Sequence, residues 1–126
     1  MPKTLVKLRQ KAFARQDGRC FYCSSPMFEG DAEEFTRRLR APAGLAKHLK
    51  CTAEHLQAVK DGGKNVAANI VAACLFCNSR RHQRKCPPEP QHYKRFVEAR
   101  IRRGKWHPKE LLRFVRSWPD TIERGD

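Results

Sequence analysis

The spacing of hydrophobic residues predicts that the chain begins with a helix. Leu5, Leu8 and Ala12 recur at intervals of three and four residues, and lysine and arginine fill much of the surface between them. This pattern predicts a helix over residues 3–16, ended by the Asp-Gly pair at 17–18. Further helices are predicted over residues 31–40 and, after a proline, over 43–49.

The middle of the chain predicts two short strands followed by a helix. Residues 51–57 and 70–73 suit strands, and residues 60–65 between them have the Asp, Gly and Asn content of a turn. A helix is predicted from Asn78 to Lys85, stopped by two prolines. Two amphipathic helices complete the chain, with these apolar stripes: Tyr93, Phe96, Val97 and Ile101, then Leu111, Phe114, Val115 and Trp118 after Pro108.

Composition makes the chain a candidate to bind a polyanion. Its 126 residues are enough for one domain with a real core, and the formal net charge is +14. The excess charge lies in residues 1–50, at +6, and in residues 80–126, at +8, whereas residues 51–79 are neutral. A basic surface without such a partner is the alternative.

The sequence shows no signal for a membrane or for secretion. No run approaches ~18 apolar residues, and the N-terminus is charged from its third residue without an apolar stretch. We therefore expect a cytoplasmic protein whose thiols are reduced.

Four of the six cysteines form two Cys-x-x-Cys pairs, Cys20 with Cys23 and Cys74 with Cys77. Two residues between cysteines allow a tight turn that points both sulfurs at one ion, and two such turns close the four-thiolate site that zinc prefers. The ion would stabilise the fold rather than catalyse. Ordinary buried cysteines or a redox pair are the alternatives. Cys51 is predicted to be a small buried strand residue, and Cys86 is unassigned.

Candidate catalytic chemistry lies between the cysteine pairs. Glu54 and His55 put an oxygen ligand for a hard cation beside a possible general base. Adjacent strand residues point to opposite faces, so both serve one site only where the strand bends or ends. Asn78, directly after Cys77, could supply a second oxygen ligand, and a bound zinc would hold its helix rigidly.

The segment from Cys20 to about His82 resembles the HNH endonucleases. The resemblance rests on Cys51-Thr-Ala-Glu-His-Leu, on Asp61-Gly-Gly, and on the run from Asn69 through Cys77-Asn78-Ser-Arg-Arg. It implies an α+β fold: a small ββα-metal finger, treble-clef-like, with a four-cysteine zinc site and additional helices around it. With the length and charge of the chain, we expect a single nuclease domain over 1–126, with a motif core at about 20–85 and a basic helical extension at about 89–118.

The resemblance implies the following roles. His55 is the general base that activates water, and Asn69 orients the hairpin and supports this histidine. Glu54, where the family usually has Asp, and Asn78 hold a catalytic Mg²⁺ or Mn²⁺. The reaction is hydrolysis of a DNA phosphodiester, leaving 5′-phosphate and 3′-hydroxyl ends. One active site per chain would nick one strand.

Basic residues around the motif are predicted to hold phosphates of double-stranded DNA: Lys64, Arg80, Arg81, Arg84, Lys85, Arg102, Arg103 and Lys105. His82 is predicted to be a surface residue, and Trp106 a packing residue. Two other functions stay open, a non-catalytic zinc-finger module that binds nucleic acid and a scaffold that binds a protein partner. The oligomeric state, monomer or homodimer, is also open.

Overall fold

The computed structural model describes residues 2–116 and residue 118. Within them the chain forms six α-helices and two strands, besides three single-turn 3-10 helices, in this order: α1 (Lys3–Arg15), α2 (Ala32–Leu39), α3 (Ala43–Ala46), β1 (Cys51–His55), β2 (Ile70–Cys74), α4 (Leu75–His82), α5 (Pro90–Arg102) and α6 (Lys109–Val115). This confirms the α+β class. The prediction of one domain over 1–126 also takes in residues 119–126, which lie outside the described residues.

The centre of the fold is the antiparallel hairpin of β1 and β2. Cys51 pairs with Cys74 at one end and His55 with Ile70 at the other. All five residues of β2 are buried, which explains why its sequence is continuously apolar instead of alternating. A two-stranded sheet needs further packing to be stable, and α1 supplies it by packing on both strands.

The free edge of β2 is covered by a side chain from the end of α1. The Gln16 Oε1 atom accepts a hydrogen bond from the Ala72 amide at 2.9 Å, and Gln16 Nε2 donates to the Ala72 carbonyl at 2.8 Å. The side chain thus satisfies a backbone donor and a backbone acceptor that a further strand would otherwise pair.

Helix α4 begins at Leu75 and ends at His82, so the prediction of 78–85 was displaced by three residues. The reason is its N-cap. Cys74 Sγ accepts a hydrogen bond from the Cys77 amide at 3.4 Å, in the role that Ser or Asp usually fills. A cysteine therefore both ends β2 and begins α4, which fixes the helix directly against the hairpin.

The core extends from the first helix to the last. Ala12 of α1, Leu49, Val97 of α5 and Leu111 of α6 are all completely buried. Cys51 is buried in β1, as predicted. The C-terminal helices are therefore part of the same core as the motif. In the described part of the chain no helix is long and apolar enough to cross a membrane.

Candidate active site and metal centre

The two Cys-x-x-Cys pairs meet in one buried cluster. The sulfurs of Cys20, Cys23, Cys74 and Cys77 all lie within 4.8 Å of one another. The Cys23 and Cys74 sulfurs are 3.8 Å apart. A tetrahedral ion with metal–sulfur bonds of about 2.3 Å has sulfur–sulfur edges of about 3.8 Å. The four cysteines are thus positioned to hold a metal ion, as their spacing predicted.

The first cysteine pair is shaped by a tight backbone turn. Ser24 adopts the left-handed conformation, with a φ of 63°. The Ser24 amide donates to the Cys20 carbonyl at 2.9 Å, and the Cys20 amide donates to the Ser25 carbonyl at 2.9 Å. These bonds fold the chain back on itself, so both sulfurs of the pair face the same point.

Two side chains from the segment after α5 donate towards the cysteine sulfurs. Trp106 Nε1 donates to Cys77 Sγ at 3.2 Å, and His107 Nε2 lies 3.3 Å from Cys23 Sγ. Such outer donors orient and stabilise metal-bound thiolates. Trp106, predicted to be a packing residue, therefore also donates a hydrogen bond to a cysteine of the cluster. His107 was missed, because 84 residues separate it from Cys23 and no local pattern connects them.

Thiol ionisation in the cluster follows from burial and hydrogen bonding. Burial disfavours the charged form and raises the pKa values of Cys74 and Cys77. Burial also opposes ionisation of Cys23, but hydrogen bonds from the other three thiols and from His107 outweigh it and lower its pKa. The cluster thus favours a thiolate at Cys23.

A cleft of about 400 Å³ opens at the end of β1 and is lined by Glu54, His55, Asn78 and His82. Neighbouring strand residues normally point to opposite faces, but β1 ends at His55, so both of its last two side chains reach this cleft. The hairpin and α4 therefore bring together three of the predicted catalytic residues. Asn69, the fourth, does not line the cleft.

Glu54 is the most deeply held of these side chains, with 1% of its surface exposed. Its Oε2 atom accepts hydrogen bonds from the Tyr22 hydroxyl and from Arg81 Nη1, each at 2.9 Å. Its Oε1 atom lies 2.8 Å from His82 Nε2. Burial, then the charge of Glu54, raises the pKa of Tyr22, so the tyrosine stays a donor. Oε2 is thus fixed by Tyr22 and Arg81, and Oε1 contacts His82, which lines the cleft.

Arg81 corrects a prediction. Expected to contact DNA phosphate, it is only 3% exposed. Besides its bond to Glu54, its guanidinium donates to the His55 and Leu56 carbonyls at 3.1 Å and to the Pro88 carbonyl at 3.0 Å. Its donors are used in hydrogen bonds inside the protein. Arg81 therefore neutralises Glu54 and holds the end of β1 in place.

Asn78 and His82 are four residues apart on α4 and share one helix face. Asn78 Nδ2 donates to Thr52 Oγ1 at 2.9 Å. This fixes the amide plane, and Asn78 Oδ1 has no hydrogen-bond partner among the described residues. His82 is more than the surface residue that was predicted, because its ring contacts Glu54 within the cleft. The i, i+4 spacing to Asn78 was the signal that could have found it.

His55 is oriented by an asparagine that the sequence did not single out. Its Nε2 atom lies 2.8 Å from Asn65 Oδ1, and its Nδ1 atom has no hydrogen-bond partner in the described part of the chain. Because an amide oxygen can only accept, it favours the tautomer with the proton on Nε2. Nδ1 is then left as a free base.

Asn69 braces the loop that carries Asn65. Its Oδ1 atom accepts from the Gln57 amide at 2.8 Å, and its Nδ2 atom donates to the Gln57 and Lys64 carbonyls at 3.1 and 3.0 Å. The side chain thus ties both ends of the loop to the start of β2. Its contact with His55 is indirect, through the loop.

The remaining basic candidates are exposed. Arg80 stacks on the Phe76 ring at 4.2 Å, and Arg84 stacks on the Phe96 ring at 5.0 Å. The others lie in the loop before β2, after α4, and at the end of α5 and in the turn beyond it: Lys64, Lys85, Arg102, Arg103 and Lys105.

The hairpin, the helix and the cysteines together form a ββα finger with a four-cysteine cluster that could hold a metal and a separate polar cleft. The family model for HNH endonuclease matches residues 44–84 of the chain, which include β1, β2 and α4. This confirms the resemblance and supports a nuclease-type enzyme. No curated protein and no solved structure matches the chain.

Proposed function

We propose that this protein is a metal-dependent endonuclease that hydrolyses phosphodiester bonds in DNA. The observation that carries the proposal is the cleft itself: a base with a free nitrogen, His55 Nδ1, lies in the same cleft as the side chains of Glu54, Asn78 and His82. The match to HNH endonuclease supports the reaction class.

The donor set of the cleft fits a divalent cation. Glu54 Oε1, the free Asn78 Oδ1 and His82 Nε2 are oxygen and nitrogen donors of the kind that Mg²⁺ and Mn²⁺ accept. Glu54 and Asn78 are the predicted ligands, and His82 joins them. When bound, the cation would polarise a phosphate oxygen and neutralise charge on the leaving oxygen.

The reaction then needs a proton acceptor, and His55 supplies it. Its Nδ1 takes a proton from a water molecule while the water oxygen forms a bond to phosphorus. The phosphorus–O3′ bond breaks, and the 3′-oxygen takes a proton from solvent. The products carry 5′-phosphate and 3′-hydroxyl ends. One cleft per chain cuts one strand at each encounter, so we expect nicks.

We propose zinc as the ion of the four-cysteine cluster, because four thiolates in a closed tetrahedral set are typical of structural zinc. All four ligand positions come from the protein, so this ion stabilises the fold. A compartment that keeps thiols reduced suits such a site, and we therefore place the protein in the cytoplasm.

Supercoiled plasmid tests the proposal. Purified protein is incubated with plasmid without added metal, with Mg²⁺, and with Mn²⁺, beside the His55→Ala variant. We expect nicked circles with the added metals and a loss of rate of about 10²–10⁴-fold in the variant. Plasmid left intact by the wild-type protein under every metal would favour a non-catalytic module that binds nucleic acid.

A further inference from the structure

A second cleft lies across α4 from the catalytic one. Its volume is about 320 Å³, and we call it the arginine cleft after three of the residues that line it, Arg80, Arg84 and Arg100. Aromatic rings of Tyr93, Phe96 and Trp106 complete much of its wall, and among the described residues no carboxylate lines it. Two positions along a helix turn about 200°, so Arg80 points away from the face of Asn78 and His82.

Two of the three guanidinium groups of this cleft, those of Arg80 and Arg84, are held by aromatic rings instead of by acids. Arg80 lies 4.2 Å from the Phe76 ring centre and 5.9 Å from that of Trp106, and Arg84 lies 5.0 Å from that of Phe96. A ring face positions a guanidinium but uses none of its planar N–H donors. The charge and the donors both stay available.

Arg100 adds an unused donor. Its Nε atom is buried and has no hydrogen-bond partner in the described part of the chain. A buried donor without a partner is costly, and Arg100 lines the cleft, so a ligand there that accepts hydrogen bonds would satisfy this donor. Three fork-shaped cations without a counter-charge match the chemistry of phosphate oxygens.

We propose that the arginine cleft binds the phosphate backbone of a DNA segment flanking the one being cut. This inference rests on the proposed function for its ligand. Because the cleft and the catalytic residues occupy different sides of α4, the phosphate bound here is not the one under attack. The cleft therefore contributes to DNA affinity and guides the DNA across the protein surface, whereas His55 acts in the chemical step.

Salt-dependent binding tests the cleft without any cleavage. The DNA affinity of a His55→Ala background is measured by anisotropy on a labelled duplex, without divalent cations, in a series of salt concentrations. Two pairs of substitutions remove equal charge: Arg80→Gln with Arg84→Gln in the cleft, and Lys7→Gln with Arg95→Gln at exposed positions outside it. Matching thermal unfolding midpoints show that both variants fold.

Each lost phosphate contact lowers the slope of log affinity against log salt by about 0.9, or about eightfold in affinity at 0.1 M salt. We therefore expect the cleft pair to lose about 1.8 in slope and about sixtyfold in affinity, and the control pair to lose far less. Equal losses in the two pairs would overturn the inference, because they would show only diffuse attraction to a basic surface.

The fluorescence of Trp106, which lines the arginine cleft, reports directly on binding there. Of the two tryptophans, Trp118 is replaced by Phe, so that the emission comes from Trp106 alone. Duplex DNA is expected to change this emission in the control pair and not in the cleft pair. A response to inorganic phosphate or poly-glutamate but not to DNA would overturn the nucleic-acid assignment. Because neither measurement needs cleavage, a failed nicking assay and a failed cleft assay are separate results.

Discussion

The Oε1 atom of Glu54 and the Nε2 atom of His82 lie 2.8 Å apart at the wall of the cleft at the end of β1, the candidate active site. The contact joins the last turn of α4 to the second-last residue of β1, so hairpin and helix must be in place together for the site to exist. The four-cysteine cluster fixes that arrangement from the other end of α4, through Cys74 and Cys77.

Replacing Arg81 is expected to destabilise the protein strongly. Arg81→Ala leaves the buried Glu54 carboxylate without its positive partner, at a cost of about 3–5 kcal/mol in the free energy of unfolding. Urea unfolding measures the loss. Arg95→Ala, at an exposed position of α5, is the matched control and should change stability by less than about 0.5 kcal/mol. Equal stabilities would contradict the structural role of Arg81.

Asn65 is expected to act as a positioning residue for His55. Asn65→Ala removes the acceptor of Nε2–H, so the imidazole loses its fixed tautomer, and nicking should slow by about tenfold or more. Asn65→Asp keeps the acceptor and adds a negative charge that favours imidazolium, so the acid limb of its pH–rate profile should move to higher pH. A merely structural role would leave the profile of Asn65→Asp where the wild type has it.

Thiol labelling distinguishes three classes among the six cysteines. Cys86 is exposed and should react with a disulfide reagent at once. Cys51 should react slowly, because burial, with the nearby charge of Glu29, raises its pKa to about 12. The four clustered cysteines should react only after a chelator removes about one zinc per chain.

Cys20→Ser and Cys77→Ser test the cluster independently of the labelling, by zinc analysis and by the yield of soluble protein. Both variants should lose zinc and solubility, because three thiolates no longer close the site. Fast labelling of all six thiols in wild-type protein that contains zinc would contradict the assignment of the cluster.

Alkaline pH is expected to weaken the fold in part through Cys51. The native state keeps this thiol protonated to about pH 12, whereas the unfolded chain releases the proton near pH 9. Above pH 9 the native state therefore binds more protons than the unfolded state, and the free energy of unfolding falls as pH rises. Urea unfolding from pH 8 to pH 11 should show a steeper decline for wild type than for Cys51→Ala. If the free energy of unfolding fell equally with pH in the wild type and in Cys51→Ala, this role of Cys51 would be contradicted.

Spacing rules predicted the features that are local in sequence. The two Cys-x-x-Cys pairs and the apolar β2 each follow from residues a few positions apart, whereas β1 ends at His55, two residues before the predicted end of the strand at 57. His82 was within reach of the same reasoning, through its helical spacing from Asn78.

Contacts between distant segments could not be predicted in this way. Tyr22 and Arg81 reach Glu54 from 32 and 27 residues away, and His107 reaches Cys23 from 84. Such pairs depend on how elements pack, which no periodicity encodes. The amphipathic patterns of residues 89–118 predicted helices there but not their packing partners, and α5 and α6 contribute Val97 and Leu111 to the common core.

Single-turnover nicking of supercoiled plasmid, measured against Mn²⁺ concentration, tests the central claim most directly. Asn78→Ala and His82→Ala should need about 10–100 times more Mn²⁺ to reach half of their maximal rate, because each removes a ligand. His55→Ala should keep the Mn²⁺ requirement of the wild type and lose about 10²–10⁴-fold in maximal rate. A His55→Ala variant that nicks as fast as the wild type would contradict the account.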